Sequence, residues 1–462
     1  MLFNSYPFVF VFLPVVVTGY YLLRRQGHRL AFVIAASYVF YAWEEWWFPA
    51  LMVVSTGVSF TGGLALERAS SVRARKLTLA AGIAGVLSLL LFFKYAGFAA
   101  YYLSEAFDTA TGTGLPTVQE FTRGIVLPVG ISFFTFEAIS YQVDVYRGVV
   151  PAERNLLRYA FFISFFPHLI AGPIVRYGKL APQLELLRRF DTAEFRAGLL
   201  LFTFGLAKKV LFADGIARHV NAEFVDPTKV GALDAWTGMF GYSFQIYFDF
   251  SGYTDMALGL ALMVGIALPW NFNRPYRASS PRDFWRRWHV TLSTWLRDYL
   301  YIPLGGNKKG TLRRDVNLLT TMGLGGLWHG ASTNFVAWGL YHGALLVAQH
   351  RLERLRIRVP HVLAVATTFT LVTIGWVLFR FRVSGEIREM LGAMVGLNGV
   401  GAPVLGLIPY LLGSAAVVYL LPEEWSWDYR SWGPRRVALA GAVGGLALVS
   451  LNDAVEFLYF QF

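Results

Sequence analysis

Apolar blocks, most of them near the 20 residues that a membrane-crossing helix needs, recur along nearly the whole chain and decide what solvent it can fold in. Residues 7–23, 30–43, 50–66 and 77–102 begin the series, with short polar breaks between them. Only 15% of the 462 residues are charged, against about 25% in a soluble domain. In hydrocarbon every backbone polar group needs an internal partner, so helices are the economical answer. The chain reads as an all-α, polytopic integral membrane protein, a single membrane-embedded domain over 1–462.

The polar breaks carry direction. Arg24, Arg25, His28 and Arg29 follow the first block, and Arg68, Arg73, Arg75 and Lys76 follow the third. Basic loops stay in the cytoplasm, which puts the N-terminus outside. Glu44, Glu45, Trp46 and Trp47 mark the opposite interface, as do Glu105 and Asp108 beside the run TATGTG. The net charge of +12 therefore reads as loop charge and lipid contact, with no nucleic acid partner. There is no Cys, which excludes a disulfide, a thiolate metal site and a cysteine nucleophile. The first block has its basic cluster after the apolar run, and reads as a retained helix, not a cleaved signal.

Later blocks are less regular. Residues 127–148 carry Glu137, Gln142 and Asp144 in apolar surroundings. In 161–177, Pro167 and Pro173 bracket His168 and Gly172, which predicts a broken or re-entrant segment, with a plain kinked helix as the alternative. Lys208 and Lys209 lie in the apolar run 196–216, where they are expected to snorkel to the interface. Asp249 and Asp255 interrupt 233–269; the expected role of Asp249 is to cap one of two broken helices, with a substrate-side role as the alternative. Beyond 330, the apolar blocks are 332–348, 361–379, 400–421 and 436–451. The cluster Arg351, Arg354, Arg356 and Arg358 and the link 423–436 separate them.

The charge and histidine that the apolar blocks lack are gathered in 281–330. Pro281 opens a predicted amphipathic helix running to about Tyr301. Trp285, Trp288, Leu292, Trp295 and Leu296 form its apolar stripe, while Arg282, Arg286 and Arg297 fall elsewhere. Such a cationic side suits a lipid phosphate or an anionic cofactor. The Gly-rich turn 302–310 adds Lys308 and Lys309 without the frame of a phosphate-binding Walker loop. His289 stands beside Trp288 and could be a satisfied core residue or a functional one. His329 lies in the segment MGLGGLWHG, where glycines permit close backbone approach and a cavity. Its other reading is a helix-to-helix hydrogen bond, which is also the expected role of His342. A neutral imidazole can take the proton of a hydroxyl as it attacks a carbonyl. Two histidines without HExxH or HxxxH spacing suit acyl transfer better than a metal centre.

The stretch DFWRRWHVTLSTWLRDYLYIPLGG, followed by GGLWHG, resembles the membrane-bound O-acyltransferase (MBOAT) superfamily, in its bacterial exopolysaccharide branch. LPVGISFFTFEAISYQVDVYRG, SFFPHLIAGPIVRY and QIYFDFSGYTDMALGLALMVGI match the same branch, so the resemblance covers nearly the whole chain. It implies an MBOAT fold of about 11–13 transmembrane or re-entrant helices around a central funnel. It also implies that His329 is catalytic, with His289 important beside it. The implied reaction moves acetyl from a cytoplasmic donor, acetyl-CoA, toward an extracytoplasmic polysaccharide such as alginate. No cofactor is held permanently, no metal is expected, and the implied partner is an SGNH-hydrolase-like protein. Arg286, Arg287, Lys308 and Lys309 are the expected binders of the donor phosphates. The alternatives are D-alanyl or other acyl transfer to a cell-wall polymer or lipid, and a non-enzymatic envelope transporter.

Overall fold

The computed structural model describes residues 1–111, 124–185, 189–355, 358–422, 427–453 and 457–458. Among them every regular element is helical. The end of the TATGTG run, Arg356, residues 423–426 and the last four residues of the chain lie outside the described residues. Three helical stretches among the described residues are long and apolar enough to cross a membrane: Phe48–Arg68, Val72–Glu105 and His361–Arg380. The chain is a multi-span membrane protein. It divides into two compact units, one of 11–190 with Met1, the other of 191–462 with 2–10.

The first unit contains α1 (Leu13–Leu22), α2 (Gln26–Ala42), α3 (Phe48–Arg68), α4 (Val72–Leu90), α5 (Ala96–Thr111), α6 (Ile131–Arg147), α7 (Leu156–Ser164) and the one-turn α8 (Phe166–Leu169). A π-helical turn, Leu91–Tyr95, carries α4 into α5. The centre of the unit is α6, buried without interruption from Ile131 to Gln142. It fits there because α3 and α4 present glycines to it. A Cβ on Gly63 would lie 2.6 Å from the Tyr141 hydroxyl, and one on Gly62 2.7 Å from the Gln142 amide oxygen. Small residues are how membrane helices approach closely.

The segment 161–177 is broken, as its prolines predict. Helix α7 stops at Phe165, α8 makes one turn, and the chain then runs irregularly past Pro173. Irregular backbone at such a place needs a protein partner. Glu137 of α6 supplies one: its Oε1 accepts the Val175 N–H at 3.0 Å and lies 2.9 Å from His168 Nδ1.

The second unit contains α9 (Thr192–Ala207), α10 (Asp214–Glu223), α11 (Ala232–Met263), α12 (Pro281–Arg287), α13 (Val290–Leu296), α14 (Gly310–His329), α15 (Thr333–Leu352), α16 (His361–Arg380), α17 (Ser384–Met394), α18 (Ile408–Leu420) and α19 (Pro434–Val449). Helix α11 has 32 residues and is about 48 Å long. It packs against α9 through two glycine pairs at heptad spacing. A Cβ on Gly198 would meet the Gly259 carbonyl at 2.6 Å, and one on Gly252 would meet the Gly205 carbonyl at 2.7 Å. The pairs run antiparallel and bring the two backbones together.

That approach overturns two expectations. Lys209, in the π-helical turn Lys208–Ala213 after α9, does not snorkel: it is 0% exposed. Its ammonium lies 2.7 Å from Asp249 and 2.7 Å from Asp214, while Lys208 reaches Asp255 at 2.6 Å. Asp249 caps nothing either, because α11 runs through it unbroken. The polar run that looked like a helix break is a row of carboxylates facing lysines inside the protein, where buried charges survive only when paired.

Helices α14 and α15 also meet through glycine. Side chains at Gly326 and Gly339 would run into the carbonyls of Phe335 and Met322. Arg274 and Arg277 close the C-terminus of α18: the first donates to the carbonyls of Val417 and Val418, the second to those of Tyr419 and Leu421. Cations suit that end of a helix, where carbonyls lack helical partners.

Lys209→Met leaves Asp249 and Asp214 buried without their cation, and is expected to cost about 3–5 kcal/mol of stability. A thermal melt in detergent checks this. Adding Asp249→Asn and Asp214→Asn should recover part of the loss, and a melt no lower than the parent's would contradict the pairing.

Candidate active site

The site begins in the irregular stretch before α12. Val290 N–H donates to the Asn271 carbonyl at 2.9 Å, and Asn273 N–H to the Arg287 carbonyl at 2.9 Å. These two bonds clamp 271–273 against 287–290. The continuous amphipathic helix expected over 282–301 is therefore split. Trp288 is extended at ψ 126°, and His289 takes a left-handed backbone with φ 43° and ψ 54°. Arg274 is the other non-glycine residue of positive φ among the described residues. Left-handed backbone costs a side-chain-bearing residue about 1–2 kcal/mol, so local bonds must hold it.

Asn271 provides them. Its Oδ1 accepts from Thr291 N–H at 3.2 Å and Thr291 Oγ1–H at 2.9 Å, and lies 3.2 Å from His289 Nδ1. An amide oxygen can only accept, so the bond to it needs the proton on Nδ1 and leaves a lone pair on Nε2. Among the described residues, that Nε2 has no hydrogen-bond partner. The ring is fully buried, edge-on to Phe250 at 4.8 Å between centroids.

His329 is the last residue of α14. Its ring stands edge-on to Trp338 at 5.2 Å and Phe379 at 5.5 Å, and its centroid is 6.4 Å from that of His289. At that separation the two imidazoles do not bond each other. His329 opens on a small cavity of about 20 Å³, room for about one water-sized group. Trp338 and Trp376, stacked at 5.7 Å, form one wall with Phe379. Trp288, Ile246 and Phe250 form another, and Asp249 and Leu458 complete it.

A second, open pocket of about 440 Å³ lies on the other side of the 285–290 segment. Trp285 and Val290 line it, while Trp288 lines the cavity of His329. Arg282, Arg286 and Arg297 bring positive charge to it. Arg282 is engaged with Glu353 at 2.9 Å and Arg297 with Asp298 at 2.7 Å. Arg286 has no ion pair among the described residues. Thr321 and Met322 of α14 also line the pocket, and His329 is seven residues further along that helix, about 10 Å.

Of the expected donor-binding residues, Arg286 thus lines this pocket. Arg287 turns toward Asp283 at 3.0 Å, and Lys308 and Lys309 stand outside the lining, in a turn where Gly305 and Gly306 have positive φ. His342 is buried against Trp285 and Trp338, with ring centroids 5.2 and 5.0 Å away. Several residues of the site drew no attention in the sequence, Asn271, Trp376 and Phe379 among them. Asn271 stands just before the basic stretch, and Trp376 and Phe379 close the apolar block 361–379. The one signal was a tryptophan inside a largely apolar span.

The model of the membrane-bound O-acyltransferase family matches residues 149–376. The probable alginate O-acetylase of Pseudomonas aeruginosa is 45% identical over 385 residues, covering 82% of this chain and 72% of that protein. The peptidoglycan O-acetyltransferase of Helicobacter pylori is 37% identical over 435 residues, 87% of this chain and 81% of the other. The teichoic acid D-alanyltransferase of Bacillus subtilis is 29% identical over 270 residues, 54% and 68%.

The left-handed backbone at His289 sets an expectation for substitutions. Both His289→Asn and His289→Val lose the buried ring, but Asn tolerates this conformation, so His289→Asn should be the more stable of the two by about 1–2 kcal/mol. Asn271→Ala strips three donors of their acceptor and should lose about 1–3 kcal/mol. Melting temperatures of the three variants in one detergent rank them.

Proposed function

The chain belongs to the membrane-bound O-acyltransferase family, and on that premise we propose that it moves acetyl from a cytoplasmic thioester, acetyl-CoA, for the O-acetylation of an extracytoplasmic polysaccharide such as alginate. The relatives named for O-acetylation support this substrate class: they are matched at 45% and 37% identity over most of the chain, against 29% over about half of it for D-alanyl transfer. A periplasmic SGNH-hydrolase-like partner receives the acetyl group and completes its delivery to the polymer.

The observation that carries the mechanism is His329 on a small, mostly aromatic cavity, at the far end of the helix that lines a cationic pocket. The donor's phosphates bind at Arg286, with Arg282 and Arg297 beside it, and its thioester reaches past the 285–290 segment. His329 takes the proton of the acceptor hydroxyl as that oxygen attacks the thioester carbonyl. The carbon–oxygen bond forms, the carbon–sulfur bond breaks, and the proton passes to the departing thiolate. His289, with Nδ1–H turned to Asn271, offers only its Nε2 lone pair. It therefore orients a hydroxyl by accepting from it. The aromatic walls exclude water, which strengthens each of these interactions.

His329→Ala is expected to lower acetyl transfer from labelled acetyl-CoA by about 100-fold or more, with the protein still folded. Arg286→Ala should raise the KM for acetyl-CoA and leave kcat nearly unchanged. Normal turnover in His329→Ala would refute the base assignment.

A further inference from the structure

The cavity at His329 has aromatic and aliphatic walls, with the paired carboxylate of Asp249 also in its lining. Trp338, Trp376 and Phe379 lock one another, with ring centroids 5.1–5.7 Å apart. Shortening any of them unpacks the others. Ile246 and Leu458 are its two aliphatic walls. Ile246 sits on α11, one turn from Phe250. Leu458 comes from the far end of the chain, and it is doubly fixed. Its N–H donates to Asp249 Oδ2 at 2.9 Å, and the ring of its neighbour Phe457 lies 4.5 Å from the Lys209 ammonium. Asp249 Oδ1 is held in turn by the same ammonium at 2.7 Å. The wall is anchored to a buried ion pair.

We propose that this cavity receives the methyl end of the transferred acyl group, and that Leu458 and Ile246 make it a length filter that admits acetyl and rejects longer acyl chains. The inference rests on the acetyl-transfer reading above. Space for one water-sized group takes a methyl and has no room for a further methylene. The rigid aromatic side cannot yield, because its rings already fill one another's van der Waals contacts. The aliphatic side cannot yield while Asp249 holds Leu458. Asp249, which also lines the cavity, acts here by positioning: both its oxygens are engaged, one by the Lys209 ammonium and one by the Leu458 N–H. The bonds made and broken are the same for each acyl length; only the space beyond the carbonyl differs.

A hydrophobic pocket discriminates one methylene by about 10- to 200-fold. Membranes carrying the protein are supplied with acetyl-, propionyl- or butyryl-CoA, and thiol release and acyl incorporation are measured. The unaltered protein should favour acetyl over propionyl by about tenfold or more. Leu458→Ala should raise the propionyl-to-acetyl ratio about tenfold, and Leu458→Phe should suppress acetyl transfer itself. Ile246→Ala opens the cavity from α11 and gives the same shift should the Leu458 variant fail to fold. Acetyl transfer with an unchanged ratio in every folded opening variant overturns the filter alone. Absence of acetyl transfer in the unaltered protein overturns the reading on which the filter rests.

Discussion

An ammonium group with no exposed surface, Lys209, holds two carboxylates at 2.7 Å inside the second unit. In a membrane protein that arrangement has to be complete, since either charge alone would be ruinous. It is complete because Gly198, Gly205, Gly252 and Gly259 let α9 and α11 come close enough for a lysine that follows one helix to reach the middle of the other. Asp249 then spends its second oxygen on the Leu458 N–H, and so transfers the order of the ion pair to the wall beside His329. The cavity is a consequence of charge satisfaction as much as of packing.

The two histidines are held by different means, which suits a division of labour. His329 closes a glycine-rich helix and is gripped by aromatic edges, with no local backbone distortion. His289 depends on a strained backbone that Asn271 holds in place. Aromatic edges flank the first, and the Asn271 amide oxygen fixes the ring of the second. Preorganisation of this kind means that little has to move when charge develops at the reacting carbon.

How much of this was legible from the chain depended on what each residue's signal was. The apolar blocks fell close to the helices found, with 361–379 realised as α16, His361–Arg380. Pro167 and Pro173 told of the break in 161–177, because a missing donor acts locally. The glycines of MGLGGLWHG told of close approach, which Gly326 makes against the Phe335 carbonyl. Lys209 and Asp249 could not be read this way. Each shows only that a charge sits in an apolar run; whether it faces water or a partner 40 positions away is a tertiary matter. The split at His289 has no proline or glycine to announce it. Its cause is a side chain 18 residues earlier. Likewise, charge counting could not separate Arg287, which turns to its own helix, from Arg286, which lines the pocket.

The arginine caps on α18 bear on when the site comes into being. Arg274 is 1% exposed, and its donors end on carbonyls more than 140 residues downstream. Leu458 reaches Asp249 from 209 residues away. Synthesis runs from the N-terminus, and segments settle as they are delivered to the membrane. The loop that shapes His289 must wait, with a buried guanidinium unanswered, until α18 has been made; the cavity beside His329 waits longer still, for the last described residues. A chain cut short after α16 would hold both histidines and no finished pocket.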